Sequence, residues 1–600
     1  MGKILRIDLE SKKIITEIVD PELENKYIGG AGVAAAIFTK EVPPEIDPFN
    51  AQNLLIFSLG PICGTLIPYC GRHHVMAKSP LTRILGESSA GGFFGNELKK
   101  AGFDHIIFSG ISQKPVYIRI HNDDVEIRDA TYLWGKGTIE TEDLLIKESG
   151  DNNVKVASIG PAGENLVKFA SIMSEKGHAA GRCGLGAIMG SKKLKAIVVR
   201  GTKDVPVDNK DKVMEAAEKI RTIAKTTPFS IAMHDLGTLA HMDNYVSAGD
   251  VPIKNFTLSR WKGTKKIGFY ALKEKYEIQH FSCFNCWTAC RGKLKYNNEW
   301  IEWPEYEFLG MMGSNLYVDD LEALIKWNIM VNNLGMDCIS LGGVLGVFLE
   351  AIDRKLIEID YNSLGFIKDP EKDQYNIWGV TSAIENLIEL TAYRKEIGNE
   401  LADGVRLFCQ NYNLPDDLNM HGKGLEIPAH EPRSNNMTAL DFATSSRGAY
   451  HGYEPFHLSF ATHFKKELGL TERINAFSDG EDVVIAVKRI QDACESYVAA
   501  GGCIFGFFYS SEIKPWVDAV NAITGRTYTV EDWVKIGENL FNLKREYNIK
   551  CGIRKEDDSI GTRFSIPIPK GGTKGNIPPL KEMLERYYNI RGWNSEGIPK

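Results

Sequence analysis

The chain has 600 residues, 43 % hydrophobic and 25 % charged, an ordinary globular composition spread over more length than one core fills. A net charge of −7 and the lack of any apolar run of ~18–20 residues exclude a nucleic-acid footprint and a membrane span, and 27 Phe, 22 Tyr and 10 Trp exclude intrinsic disorder. The opening MGKILRIDLESKK reads as an alternating strand rather than a secretory leader, and eleven cysteines, an odd number, do not suit a disulfide framework; the expectation is a cytoplasmic protein of several domains.

Short apolar or alternating runs recur through residues 1–205: ILRIDLE, NLLIFSLG, HIIFSG, PVYIRIHN, VEIRDA, VKVASIG and KAIVVRG, separated by Gly, Pro, Asn and Asp. They predict a strand-rich first domain. DVPVDNKD is a polar, Pro-containing break. Over 206–415 the period changes: DKVMEAAEKIRTIAKTT, LEALIKWNIMVNNLG, LGGVLGVFLEAIDRKL and VTSAIENLIELTAYR repeat apolar residues every three or four positions, as helices do. NYNLPDDLNMHGKG marks a second break, and 416–600 is mixed, with helices at DGEDVVIAVKRIQDACESYV and VEDWVKIGENLFNLKREY. The fold class is therefore α+β multidomain, one strand-rich domain followed by two mainly helical ones.

Three of the cysteines stand apart from the rest. Cys283, Cys286 and Cys290 lie in HFSCFNCWTACRGK, a C-x2-C-x3-C spacing that brings three thiolates to one centre from a short stretch of chain. With a fourth thiolate distant in sequence this suits a four-iron cluster; with His280 it would suit Cys3His zinc. Cys503, in VAAGGCIFGFF, is the candidate fourth ligand, its Gly pair leaving room for backbone beside a bulky group. The G-x-G-x-x-A match in GGAGVAAAIF invites a dinucleotide reading, but LENKYI before it is not a buried strand. GRHHVMAKSPLT, SSAGGFFGNELKKAG and HAAGRCGLGAIMGSKKLKAI pair glycines with Arg72, Arg182 and Lys192, as cradles for a large polyanionic cofactor would. EWIEWPEYEFLG sets four carboxylates among aromatics, and RGAYHGYEPFH sets His451 in a Gly- and Tyr-rich loop.

These segments, with ASIGPAGENLVKFASIM, VPIKNF, PEYE, NLGMDCIS and LERYYNIRGWNSEGIPK, occur in order along the whole chain, which resembles the tungsten-containing aldehyde:ferredoxin oxidoreductases. The resemblance implies a strand-rich base under a tungsten (or molybdenum) bis-pyranopterin, capped by two helical domains, with a [4Fe-4S] cluster on Cys283, Cys286, Cys290 and Cys503. It places Arg72, Ser89, Gly91, Arg182 and Cys183 at the pterin phosphates and their bridging Mg2+. It makes Glu307 and His451 the acid/base pair. Two pterin-contacting stretches, usually D-x-x-G-L-[DC], correspond to NNLGMD, with Asn332, Met336 and Asp337, and VAAGGC, with Gly502. Tyr453 takes the place of a pterin-contacting Lys.

The departures fall within those contacts. Asn332 and Val498 stand where an Asp is usual, and Lys326 and Ile329 stand where the family's E-x-x-H bridging-metal motif would fall, so that metal does not carry over and the homo-oligomer it joins is left open. The implied reaction is oxidation of a small aldehyde to its acid, with electrons passing to ferredoxin or an iron–sulfur partner subunit. A low-potential acyl-CoA or carboxylic acid reductase subunit of the same superfamily is the alternative, and intact PEYE weighs against it. A non-catalytic iron–sulfur electron-transfer or zinc-structured protein is the alternative of another class. Cys338 is expected to be a packed thiol.

Overall fold

The computed structural model describes residues 2–453, 455–460 and 465–600. Strands β1 (Lys3–Asp8), β2 (Lys13–Ile18), β3 (Leu55–Ser58), β4 (His73–Lys78), β5 (Leu85–Ala90) and β6 (His105–Ser109) form a mixed sheet in the order β2-β1-β6-β3-β4-β5. Strands β7 (Val116–His121), β8 (Asp124–Asp129), β9 (Lys155–Ser158), β10 (Ile172–Ser174), β11 (His178–Ala180) and β12 (Leu194–Arg200) form a second, ordered β11-β10-β9-β12-β7-β8. Each sheet holds one parallel pair, β1 with β6 and β7 with β12, and is otherwise antiparallel.

The first sheet is covered on both faces, which explains why NLLIFSLG is a continuous apolar run rather than an alternating one. Leu5, Ile7, Leu55, Phe57 and Val75 point into a core shared with the second sheet and the following helices. Their neighbours Ile4, Ile56, Met76 and Ile107 point the other way, into a core made with C-terminal helices. All seven strand runs read from the sequence are strands, and the predicted helices form over Lys210–Thr226, Leu321–Leu334, Cys338–Asp353, Thr381–Ala392, Glu481–Ala499 and Val530–Lys550.

Two sequence features resolve differently from their first appearance. GGAGVAAAIF is itself a helix, Gly30–Glu41, and its glycines serve close packing: a Cβ on Gly32 would lie 2.3 Å from the Tyr27 carbonyl oxygen, and one on Gly30 2.6 Å from that of Ala499. The cysteine triplet does not sit among helices. It is the loop between β13 (Ile278–Phe281) and β14 (Arg291–Tyr296), which with β15 (Glu299–Glu302) form a small antiparallel sheet inside the otherwise helical region. Sequence periodicity missed this sheet because β13 and β15 are only four residues each, too short to show a period.

Candidate active site

The ends of β4, β5 and β11 meet the cysteine hairpin around a cavity of about 320 Å3. Pairing of His73 with Ala90 sets Arg72 and Gly91 beside one another just past the strand ends. Arg72 then donates from Nη1 to the Ser89 carbonyl (3.3 Å) and Oγ (3.2 Å), and from Nη2 to the Cys503 sulfur at 3.4 Å. β11 delivers Arg182, whose Nε lies 3.0 Å from Asp337 Oδ2 and whose Nη2 donates to the Glu426 carbonyl at 2.7 Å. Asp337 is also the N-cap of the helix Cys338–Asp353, accepting from Ile339 and Ser340 N–H, so one carboxylate fixes both the helix start and the arginine.

Cys283, Cys286, Cys290 and Cys503 all line this cavity. Gly91 is required next to them, since a Cβ there would lie 2.8 Å from the Cys283 sulfur. Burial pushes the Cys283 thiol up to about 11 and lifts Cys286 and Cys290 higher still. Burial also opposes the charge of Arg72 and Arg291, but neighbouring thiols and carboxylates keep both guanidinium groups firmly protonated. Two permanent cations therefore face four thiols, the setting in which thiolates form on binding metal. Among the described residues no three His, Cys, Asp or Glu side chains are grouped closely enough to hold one ion. His280 is not on the cavity wall; it lies edge-on to Trp303 at 5.1 Å, so the Cys3His arrangement lacks its histidine.

Glu307 stands on the opposite wall, in the short helical segment Tyr306–Phe308 that runs into a π-turn at Leu309–Gly313. Its Oε2 accepts from Ala429 N–H at 2.9 Å, while Oε1 lies 3.7 Å from His451 Nε2 and 3.5 Å from His430 Nε2. His430 Nδ1 contacts Asp250 Oδ2 at 2.6 Å, and Asp250 is held in turn by Ser434 Oγ at 2.9 Å. Burial, reinforced by His430 and nearby arginines, holds the His451 pKa well below its usual value, so this imidazole is neutral. Asp250 and His430 were not legible in the sequence. They lie 180 residues apart, and nothing local in VSAGDVPI or EIPAHEPR marks them.

Arg72, Ser89, Gly91, Arg182, Asn332, Asp337, Glu307 and His451 thus reach the same cavity as the four thiols. Four predicted cofactor residues stand behind the wall instead. Cys183, at φ +69°, turns its thiol toward the Glu87 carbonyl; Met336 is buried and bridges Ala170. Tyr453 donates its hydroxyl to Glu495, and Gly502 makes room for the Tyr497 ring, which a Cβ would meet at 2.2 Å. Each supports a neighbour that does line the cavity: Arg182, Asp337, Gly452 and Cys503. Lys192 is a plain correction, because its buried ammonium donates to the Gly110 carbonyl at 3.2 Å, away from the cavity. Cys338, expected to be packed, is on the cavity wall.

Arg182 Nη1, His178 Nε2 and His451 Nδ1 are buried at this cavity with no hydrogen-bond partner among the described residues. Such atoms cost ~1–3 kcal/mol each unless something satisfies them, so the site fits a large anionic cofactor that accepts from Arg182 and offers a polar partner to each neutral imidazole. A mixed-sheet base and a buried arginine-lined cavity with four thiols on its wall fit a cofactor-dependent oxidoreductase. Residues 4–201 match the model of the aldehyde ferredoxin oxidoreductase N-terminal domain, and 215–600 match that of domains 2 and 3 of the same enzymes. The tungsten-containing aldehyde ferredoxin oxidoreductase of Pyrococcus furiosus is 38 % identical over 100 % of this chain and 97 % of its own length. The aliphatic sulfonate oxidoreductase WOR-like subunit of the same organism is 29 % identical over 100 % and 95 %. Among solved structures, the active-site complex BamBC of benzoyl coenzyme A reductase with 1,5-dienoyl-CoA superposes with a TM-score of 0.84 at 27 % identity, covering 100 % of this chain and 95 % of that one. The chain belongs to the aldehyde ferredoxin oxidoreductase family.

Proposed function

We propose that this protein oxidises aldehydes to carboxylic acids in the cytoplasm, using a tungsten bis-pyranopterin, a phosphate-bridging Mg2+ and a [4Fe-4S] cluster, and delivers the electrons to a ferredoxin. The observation that carries the reading is that Glu307 and His451 share one cavity with Arg72, Arg182 and four thiols. Cys283, Cys286, Cys290 and Cys503 would hold the cluster; Arg72 and Arg182, with Ser89 and Asp337 behind them, would hold the pterin phosphates. Thiols that share a wall without three closing on a single point suit a polynuclear cluster rather than zinc. When bound, the tungsten pterin supplies a two-electron acceptor and the cluster a one-electron exit.

The chain's own residues handle the substrate and its protons. Neutral His451 can donate to the aldehyde oxygen, which polarises the carbonyl carbon. Glu307 Oε1, close to His451 and His430, can take the proton of the attacking water. The Ala429 N–H on Oε2 keeps the other oxygen turned toward the histidines. Asp250 holds His430 with Nε2 3.5 Å from Glu307 Oε1, a place from which the imidazole could take up a proton accepted by Glu307.

The test is metal analysis beside aldehyde-dependent dye reduction. One tungsten and about four irons per chain, with turnover on an aldehyde, is the expected outcome. Zinc alone, or loaded protein that ignores aldehydes, would overturn the reading. The likeness to BamBC favours a second reading, reduction of an acyl-CoA or acid, in which loaded protein would turn over a CoA thioester faster than an aldehyde.

A further inference from the structure

Three lysines surround the cysteine hairpin, and each is held by an aromatic ring rather than a carboxylate. Lys100 Nζ lies 5.9 Å from the ring centre of Phe284, Lys155 Nζ 5.7 Å from that of Phe93, and Lys293 Nζ 5.2 Å from that of Phe281. These rings belong to the thiol site: Phe281 and Phe284 flank Cys283, and Phe93 follows the Gly91–Gly92 pair that abuts it. Phe93 and Phe284 meet edge to face at 6.3 Å, so Lys100 and Lys155 flank a single aromatic pair.

Two carboxylates that feel these lysines, Glu175 near Lys155 and Glu302 near Lys293, make their close contacts with other groups. Glu175 Oε1 accepts the backbone N–H groups of Phe93 (2.5 Å) and Phe94 (2.9 Å). Glu302, opposite Lys293 in the strand register, pairs with Arg291. Among the described residues none of the three ammonium groups forms an ion pair, whereas Lys99 beside Lys100 pairs with Asp104, and Lys295 beside Lys293 with Glu277. A ring fixes an ammonium in place without neutralising it, and a half-buried stem leaves the head toward water. In a chain of net charge −7, three cations at the thiol loop with no ion pair of their own among the described residues give this surface a positive charge.

We propose that this lysine–phenylalanine collar is the docking surface of a soluble, acidic one-electron carrier protein, steered to the Cys283 side of the cluster. The proposal rests on the redox reading above and names where its partner binds. Each encounter moves one electron from the cluster to the carrier, so one aldehyde oxidised reduces two carriers by one electron each. Charge complementarity decides the partner: an acidic surface is attracted at long range, while the half-buried rings of Phe93, Phe281 and Phe284 offer a small apolar contact suited to brief association.

The experiment compares loaded wild type with K100Q/K155Q/K293Q, using an acidic two-cluster bacterial ferredoxin or a small viologen dye as acceptor across a salt series. In the triple variant, KM for ferredoxin rises about tenfold at low salt and loses most of its salt dependence. Dye-linked turnover and iron content stay at the wild-type level. K295Q, on the same strand but outside the collar, leaves the ferredoxin KM unchanged, and a rise there as large as in the triple variant counts against the collar. An unchanged ferredoxin KM in the triple variant, or a salt-independent KM in wild type, overturns the docking site while dye-linked turnover still upholds the aldehyde reading. Wild type that fails with dye as well overturns that reading and, with it, this one.

Discussion

Glu307 is constrained from both sides: one carboxylate oxygen is tied to a backbone N–H and the other faces two histidines. That asymmetry makes a sharp residue-scale prediction. Glu307→Gln preserves size and the Ala429 contact but removes the proton acceptor, so turnover per tungsten falls ~10²–10⁴-fold. Tungsten, iron and the melting curve stay unchanged; unaltered turnover per tungsten would end the base assignment. The local patterns around Glu307 and His451 drew notice, but it was the family resemblance that singled them out as an acid/base pair. The Asp250–His430 pair that completes the site was not legible, since it exists only once residues 180 positions apart are folded together.

At the scale of elements, the β13–β14 hairpin presents three thiols in a loop, and Cys503 arrives at the N-cap of the helix Ile504–Tyr509. Cys286→Ser should therefore lose iron and visible absorption while the chain stays soluble, because serine is a poor substitute for the thiolate iron–sulfur clusters require. Cys409→Ser is the matched control: that thiol is buried in the helix Val405–Asn411, away from the cavity, and should leave iron content intact. Iron measured in both purified variants decides the matter.

A second element-scale prediction concerns pH. Glu142, on the helix Thr138–Ser149, is buried, and burial lifts its carboxyl from 4.5 to about 7 despite the Lys176 N–H it accepts at 3.0 Å. The folded state then holds its proton more tightly than the unfolded chain. The resulting stabilisation is complete below pH 4.5 and is lost as pH rises through about 7. Glu142→Gln stays neutral throughout, so it should be more stable than wild type at pH 8 by about 2–3 kcal/mol. The difference should close as pH falls toward the ordinary carboxyl range, read from melting curves at both ends of that window.

At the scale of the whole molecule, one buried ion cluster joins the two ends of the chain. Lys544, on the helix Val530–Lys550, donates to Glu87 of β5 and to Glu495 of the helix Glu481–Ala499, each at 2.6 Å, and Arg447 reaches Glu87 at 3.1 Å. Burial opposes the Glu87 charge, but Arg447 and Lys544 hold its carboxyl down to about 2. Lys544→Met would remove the cation that bridges two buried carboxylates, a cost on the order of 3–5 kcal/mol. The expected result is a clearly earlier thermal midpoint; an unchanged midpoint would show that the cluster does not couple the sheet to the helices.

The sequence by itself determined what is local. Period-two and period-three-to-four patterns are set by neighbouring residues, and they marked the strands and the long helices. The C-x2-C-x3-C spacing is likewise short-range and marked three thiols, while the choice of Glu307 within PEYE came from the likeness of the whole chain to a family. Tertiary structure alone decided everything that depends on convergence. It turned Cys183, Met336, Tyr453 and Gly502 into supports behind the wall, took Lys192 out of the site, brought Cys338 onto it, and added Asp250 with His430. The physical reason is that a cavity is the meeting of strand ends, a hairpin and helix starts from distant parts of the chain, and no sequence spacing encodes which side of each element faces it.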